Sequence, residues 1–135
     1  MNSDFILAVH ALVFLNHKNT EVSSSILAEN ICTNPVRVRR VMSRLHKAKL
    51  VETRGGRSGY RFVQRPEEIN LRMIADALDA KFTSANWRSG DPHMECRIAS
   101  GMADIADQLY QQMDSLCKAH LETISISDVE QQLFD

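Results

Sequence analysis

Ten basic side chains and one acidic side chain fall between residues 35 and 65. Arg37, Arg39, Arg40, Arg44, Lys47, Lys49, Arg54, Arg57, Arg61 and Arg65 are set against Glu52 alone, a net of +9. Cations at this density suit a polyanion, since each can neutralise a phosphate, and the planar fork of arginine also matches the guanine edge of a base pair. A helix face that is merely solvated mixes both signs, and there is no acid between Pro35 and Leu50. The whole-chain charge of -1 conceals a division. Through Arg65, eleven Lys and Arg meet four Asp and Glu, a net of +7, whereas from Pro66 onward five meet thirteen, a net of -8. One half is suited to a polyanion and the other is not.

Other chemistries find less support. Cys32, Cys96 and Cys117 are too few and too far apart for a disulfide framework or a C-x-x-C site, so reduced thiols are expected. Cys96 stands near a helix start beside His93 and Arg97, a setting that favours thiolate and makes it a candidate redox thiol. Packing at a helix start is the alternative. Cys32 is expected to be a small buried hydrophobe, and Cys117 to pack in a core or interface. His93, Glu95 and Cys96 could touch one metal, but no H-E-x-x-H pair and no glycine loop followed by Lys-Ser or Lys-Thr occurs. No enzymatic activity, metal or cofactor is expected. Phe82 and Trp87 are read as structural anchors or as the lining of a small effector pocket. No apolar run is long enough to span a bilayer, and the amino terminus lacks a signal-peptide pattern, so the cytoplasm is the expected compartment.

The elements that must position the cations follow from periodicity and caps. A helix apolar on nearly every face runs from Ser3 or Asp4 to about His17, and must be buried on several sides. A short helix around Ile26 to Glu29 ends at Asn30, a residue that tolerates the left-handed conformation. Asn34-Pro35 opens a third helix, in which Val38, Val41, Met42 and Leu45 form one apolar stripe. Arg37, Arg40, Arg44 and Lys47 cluster opposite, with Arg39 at the margin. Leu50 to Thr53 and Tyr60 to Val63 read as a hairpin around Arg54-Gly55-Gly56-Arg57-Ser58-Gly59. A short helix extends from about Leu71 to Leu78, and Lys81 to Asp91 has no clear period. Ile98, Met102, Ile105, Leu109, Met113 and Leu116 then recur as a narrow seam on a helix of roughly 25 residues, a helix-association pattern. Ser127 to Glu130 reads as a capping box opening a last helix to about Phe134. The expected class is mainly α with a small β-hairpin: a winged helix-turn-helix domain over 1–80, a linker over 81–96, and a dimerisation helix with a closing helix over 97–135.

Asn34-Pro35-Val36-Arg37-Val38-Arg39-Arg40-Val41, Leu45-His46-Lys47-Ala48-Lys49-Leu50-Val51 and Arg54-Gly55-Gly56-Arg57-Ser58-Gly59-Tyr60 resemble segments of the bacterial winged-helix regulators typified by IscR, NsrR and CymR, the Rrf2 family. The resemblance covers almost the whole chain. It implies a homodimeric transcription factor, a dimer interface on Ile98, Met102, Ile105, Leu109, Met113 and Leu116, and a minor-groove role for Arg54. The start of the third helix matches the family's base-reading segment. Arg57 and Ser58 stand where many members have glycine, so the wing tip here is bulkier. Several members hold an iron-sulfur cluster on three cysteines near the start of the long helix, where this chain has only Cys96. It therefore resembles the branch that lacks a cluster.

Together these readings give a regulator, a repressor by expectation, binding double-stranded DNA at a palindromic operator. Contacts are expected from Asn34, Val36, Arg37, Arg39, Arg40, Arg44, Lys47, Arg54, Arg57, Ser58 and Tyr60, and a small-molecule or redox effector is the further partner considered. A protein-interaction module built on the same fold and a metal- or cluster-dependent sensor are the alternatives.

Overall fold

A computed structural model describes residues 3–53 and 59–135. Its order is α1 (Ser3–Lys18), α2 (Ser24–Ile31), α3 (Pro35–Lys47), β1 (Glu52–Thr53), β2 (Tyr60–Arg61), α4 (Leu71–Ala77), α5 (Arg97–Leu121) and α6 (Ile126–Phe134). The wing residues Arg54, Arg57 and Ser58 lie outside the described residues.

α1 is the centre of the core because its sequence leaves it no polar face wide enough for solvent. Phe5, Leu7, Ala8, Ala11, Leu12 and Leu15 are buried along it, and α2, α3, α4 and α6 all pack against it. α2 starts where Ser23 accepts a hydrogen bond from the Ile26 N–H. It ends two residues later than expected: Asn30 stays helical, its Oδ1 lies 2.7 Å from His10 Nε2, and Cys32 takes the left-handed conformation with φ 65°. Cys32 is exposed, not buried as expected: it closes α2 at the surface, its thiol donating to Glu29 O at 3.8 Å. Asn34 then caps α3 by accepting from the Arg37 N–H at 2.8 Å, with Pro35 in the first turn, and Val38, Val41, Met42 and Leu45 enter the core as their spacing demands. Lys49, with φ 63°, reverses the chain through Lys49 N–H to His46 O and Leu50 N–H to Leu45 O.

The hairpin is shorter than expected, with two residues in each strand. Glu52 pairs Arg61 and Thr53 pairs Tyr60, while Leu50, Val51 and Phe62 on either side are drawn into the core. Tyr60 also exchanges two backbone hydrogen bonds with Val22, at 2.8 and 3.0 Å, which ties the wing to the α1–α2 connection. Gly59 makes that approach possible, since a Cβ there would come within 2.9 Å of the Val22 carbonyl oxygen.

Residues 81–96 do not hang free. As the chain leaves α4 it lies down antiparallel to α5: Phe82 N–H donates to Asp114 Oδ1 at 2.7 Å, the Thr83 hydroxyl to Tyr110 O at 3.0 Å, Arg88 to Asp107 at 2.8 Å, and Asp91 N–H to Ala99 O at 3.0 Å. Phe82 is the expected anchor, its ring set edge-on to Phe5 with centroids 5.1 Å apart. Trp87 is not, being 75% exposed. Gly90, with φ 73°, takes a conformation and a proximity to the Ala99 carbonyl that no side chain could share.

α5 has no buried residue. The last helix opens at Ser125, two residues before the expected cap. Ser125 and Asp128 form the reciprocal capping box, which leaves Glu130 free to accept from Asn16 at 2.7 Å and to meet His17 at 3.1 Å. Ile126 is fully buried, and Leu71 N–H to Ile124 O and Ile126 N–H to Ile69 O stitch the α5–α6 junction to the start of α4. The expected boundaries at 80 and 96 are therefore not boundaries of the hydrophobic core, which takes in the closing helix.

Candidate nucleic-acid interface

α2, the three-residue turn Cys32 to Asn34, and α3 form a helix-turn-helix, with the β1–β2 hairpin beside it. The buried stripe of α3 fixes which side chains face away. At 100° per residue, Val36, Arg40, Ser43 and Lys47 lie directly opposite Val38, Val41, Met42 and Leu45, and all four are exposed. Arg39 stands at one margin, its Nη1 3.3 Å from Ser24 Oγ on α2. Tyr60 is close by: burial raises its hydroxyl pKa, and the neighbouring Arg39 charge opposes that rise. Arg39 thus bridges α3 to α2.

The remaining margin differs from the expected uniform cluster. Arg37 is bound within the chain, donating to Asp4 Oδ1 at 3.0 Å and to Ser3 Oγ at 2.7 Å. Its side chain is only 31% exposed, against 63% for Arg40, whose contact with Asp4 is a looser 3.7 Å. Arg44 donates to Leu78 O at 2.7 Å and so caps the carboxyl end of α4. Arg37 and Arg44 hold α3 in place, whereas Val36, Arg39, Arg40, Ser43 and Lys47 are presented outward. Asp4, which the sequence suggests as a helix cap, is the acid that holds Arg37. Its partner is 33 positions away, and only the packing of α1 on α3 reveals it.

Cys96 is the N-cap residue of α5 and is exposed. The backbone N–H groups of Ala99 and Ile98 hold its thiol below the usual thiol range. Cys32 is exposed and Cys117 half-buried. Cys96 and Cys117 are 21 residues apart along one helix, about 30 Å at 1.5 Å per residue. Among the described residues no three His, Cys, Asp or Glu side chains converge. An iron-sulfur cluster needs several converging thiolates, and this chain's donors do not fit one.

α5 presents Ile98, Met102, Ile105, Leu109, Met113 and Leu116 to solvent, with Ile98 and Leu116 more than 70% exposed. Among the described residues no helix is long and apolar enough to cross a membrane.

Among the described residues the arrangement is a winged helix-turn-helix with a long helix whose apolar seam is exposed, mainly α with one small hairpin. The family model for Rrf2, described as an iron-dependent transcriptional regulator, matches residues 1–132, and the chain belongs to this family of transcriptional regulators. It is 28% identical to YwnA of Bacillus subtilis (strain 168), named as an HTH-type transcriptional regulator, over 134 residues and 99% of both chains. The crystal structure of a transcriptional regulator from Lactobacillus plantarum is similar with a TM-score of 0.83 at 25% identity, covering 98% of this chain and 91% of that one. IscR of T. potens shares the fold with a TM-score of 0.69 at 18% identity, over 98% of this chain and 87% of that one.

Proposed function

We propose that the protein is a homodimeric, sequence-specific repressor of transcription, acting in the cytoplasm. Two α3 helices enter successive major grooves of an imperfectly palindromic operator, and the two α5 seams join the protomers. The observation that carries this reading is the outward ridge of α3, where Arg39, Arg40 and Lys47 are exposed and Arg40 keeps only a 3.7 Å contact with the acid that binds Arg37. Asn34 and Tyr60 flank the ridge, and Arg54, Arg57 and Ser58 belong by sequence to the wing tip beside it. Cys96, exposed and with a lowered thiol pKa, is where a redox signal would enter.

Arg39 lies near the amino-terminal end of α3, where side chains reach base edges, whereas Lys47 lies two turns on, where the groove curves away and phosphates are met. Their substitutions should differ in kind. Arg39→Ala should cost about 1–3 kcal/mol on a duplex selected by the protein and relax preference at one position, with less loss on random duplex. Lys47→Ala should weaken both duplexes alike and reduce the salt slope by about one ion. Binding isotherms on both duplexes at several salt concentrations read these effects. Equal losses everywhere would reduce α3 to an electrostatic clamp, and the absence of any salt slope on DNA would favour a protein partner.

A further inference from the structure

The outward ridge of α3 contains one residue that its cations do not explain. Val36, in the first turn of α3, is 65% exposed, and Arg39, Arg40 and Ser43 follow it along the same face. It belongs neither to the core nor to the half-buried side chains packed against it. Around it the first turn is committed. Asn34 Oδ1 accepts the capping hydrogen bond from Arg37, the Arg37 guanidinium is held by Asp4 and Ser3, Pro35 is half-buried, and Val38 is fully buried. Of the side chains from Pro35 to Val38, Val36 alone is open to a partner, and it offers only methyl groups.

Thymine is the only DNA base that places a methyl group in the major groove. Building on the DNA-reading role proposed for α3, we propose that Val36 reads thymine through its 5-methyl group and sets a thymine preference at one position of each half-site. The placement fits the chemistry. A side chain this short can touch a base only from the end of the helix nearest the groove floor, and Val36 is in that turn. A β-branched side chain in a helix holds essentially one rotamer, so the contact forms with little loss of side-chain freedom. Arg39 and Arg40, one turn further, are long enough to reach neighbouring base edges or phosphates around the same contact.

The test uses the full-length protein and a duplex selected on it from a randomised pool, with each thymine replaced singly by deoxyuridine, which removes the methyl group and nothing else. The expected result is one thymine per half-site whose replacement weakens binding about fourfold, the factor for one methyl group removed from an apolar contact. Val36→Ala should bind the thymine and deoxyuridine duplexes equally at that position. Val36 is exposed and alanine favours helix, so this variant keeps its fold. A selected duplex in which no thymine responds, or a Val36→Ala protein that still discriminates fourfold, overturns the assignment and leaves DNA reading by α3 intact. A pool that returns no preferred sequence overturns the DNA-reading function and this assignment with it.

Discussion

Asp4 sets Arg37 apart from Arg40 on α3. A carboxylate 2.9 Å from Arg37 and 3.7 Å from Arg40 orders the first side chain and only biases the second. Cys96 shows the same dependence on a local environment. Its thiol is held low by the Ala99 and Ile98 N–H groups at the start of α5, with burial acting weakly in the other direction. The sign follows from linkage: a thiol whose pKa is lower in the folded chain stabilises the fold above the unfolded pKa, and that contribution disappears as pH falls through the folded value. The pH profile of Cys96 alkylation, followed by mass spectrometry, should therefore have its midpoint at lower pH in the folded protein than in urea. If this thiolate is the redox-sensitive group, mild oxidant should weaken binding to the selected duplex reversibly in the original protein and not in Cys96→Ser. Coincident alkylation profiles would remove the basis for a sensing thiol.

Helices were legible in the sequence wherever local chemistry defines them. Asn34-Pro35 and the stripe from Val38 to Leu45 specify α3, and the apolar steps from Ile98 to Leu116 specify α5, because cap and period act within a few residues. The strap from Phe82 to Asp91 was not legible, since its partners Asp114, Tyr110, Asp107 and Ala99 become neighbours only when the chain doubles back. The sequence points to Ser127 as the cap of the last helix, whereas Ser125 forms the box with Asp128 and Ile126, the first helical residue, is buried. The end of α2 is a further case, in which the Thr33 N–H closes on Ala28 O at 2.9 Å and leaves Cys32, a residue with a Cβ, at positive φ. Cys32→Gly removes that steric cost and should raise stability by about 1 kcal/mol, seen as a higher urea midpoint with an unchanged slope. A lower midpoint would mean that the thiol contributes more than the turn strains.

At the scale of the whole molecule, the 25-residue α5 without a buried side chain is the feature that one chain leaves incomplete. Truncation cannot test its role, because α6 beyond it supplies Ile126 to the core. Point substitution can. Ile105→Asp and Leu109→Asp each place a charge in the seam, where pairing with a second copy would bury it, and each should give a folded monomer in sedimentation. A dimer that persists in both would move the interface elsewhere. The strap gives this helix a mechanical consequence. Fastened at Ala99 by Asp91, at Asp114 by Phe82 and, just beyond its end, at Ile124 by Leu71, α5 is tied along its length to the elements that carry α3. In the proposed dimer, a signal that alters the distance between two α3 helices would act at the seam between copies, with each protomer serving as a lever arm. For an arm as long as α5, about 37 Å, a tilt of about 5° at the seam carries the far end about 3 Å, close to the rise of one base pair, and so shifts a matched pair of reading helices out of register.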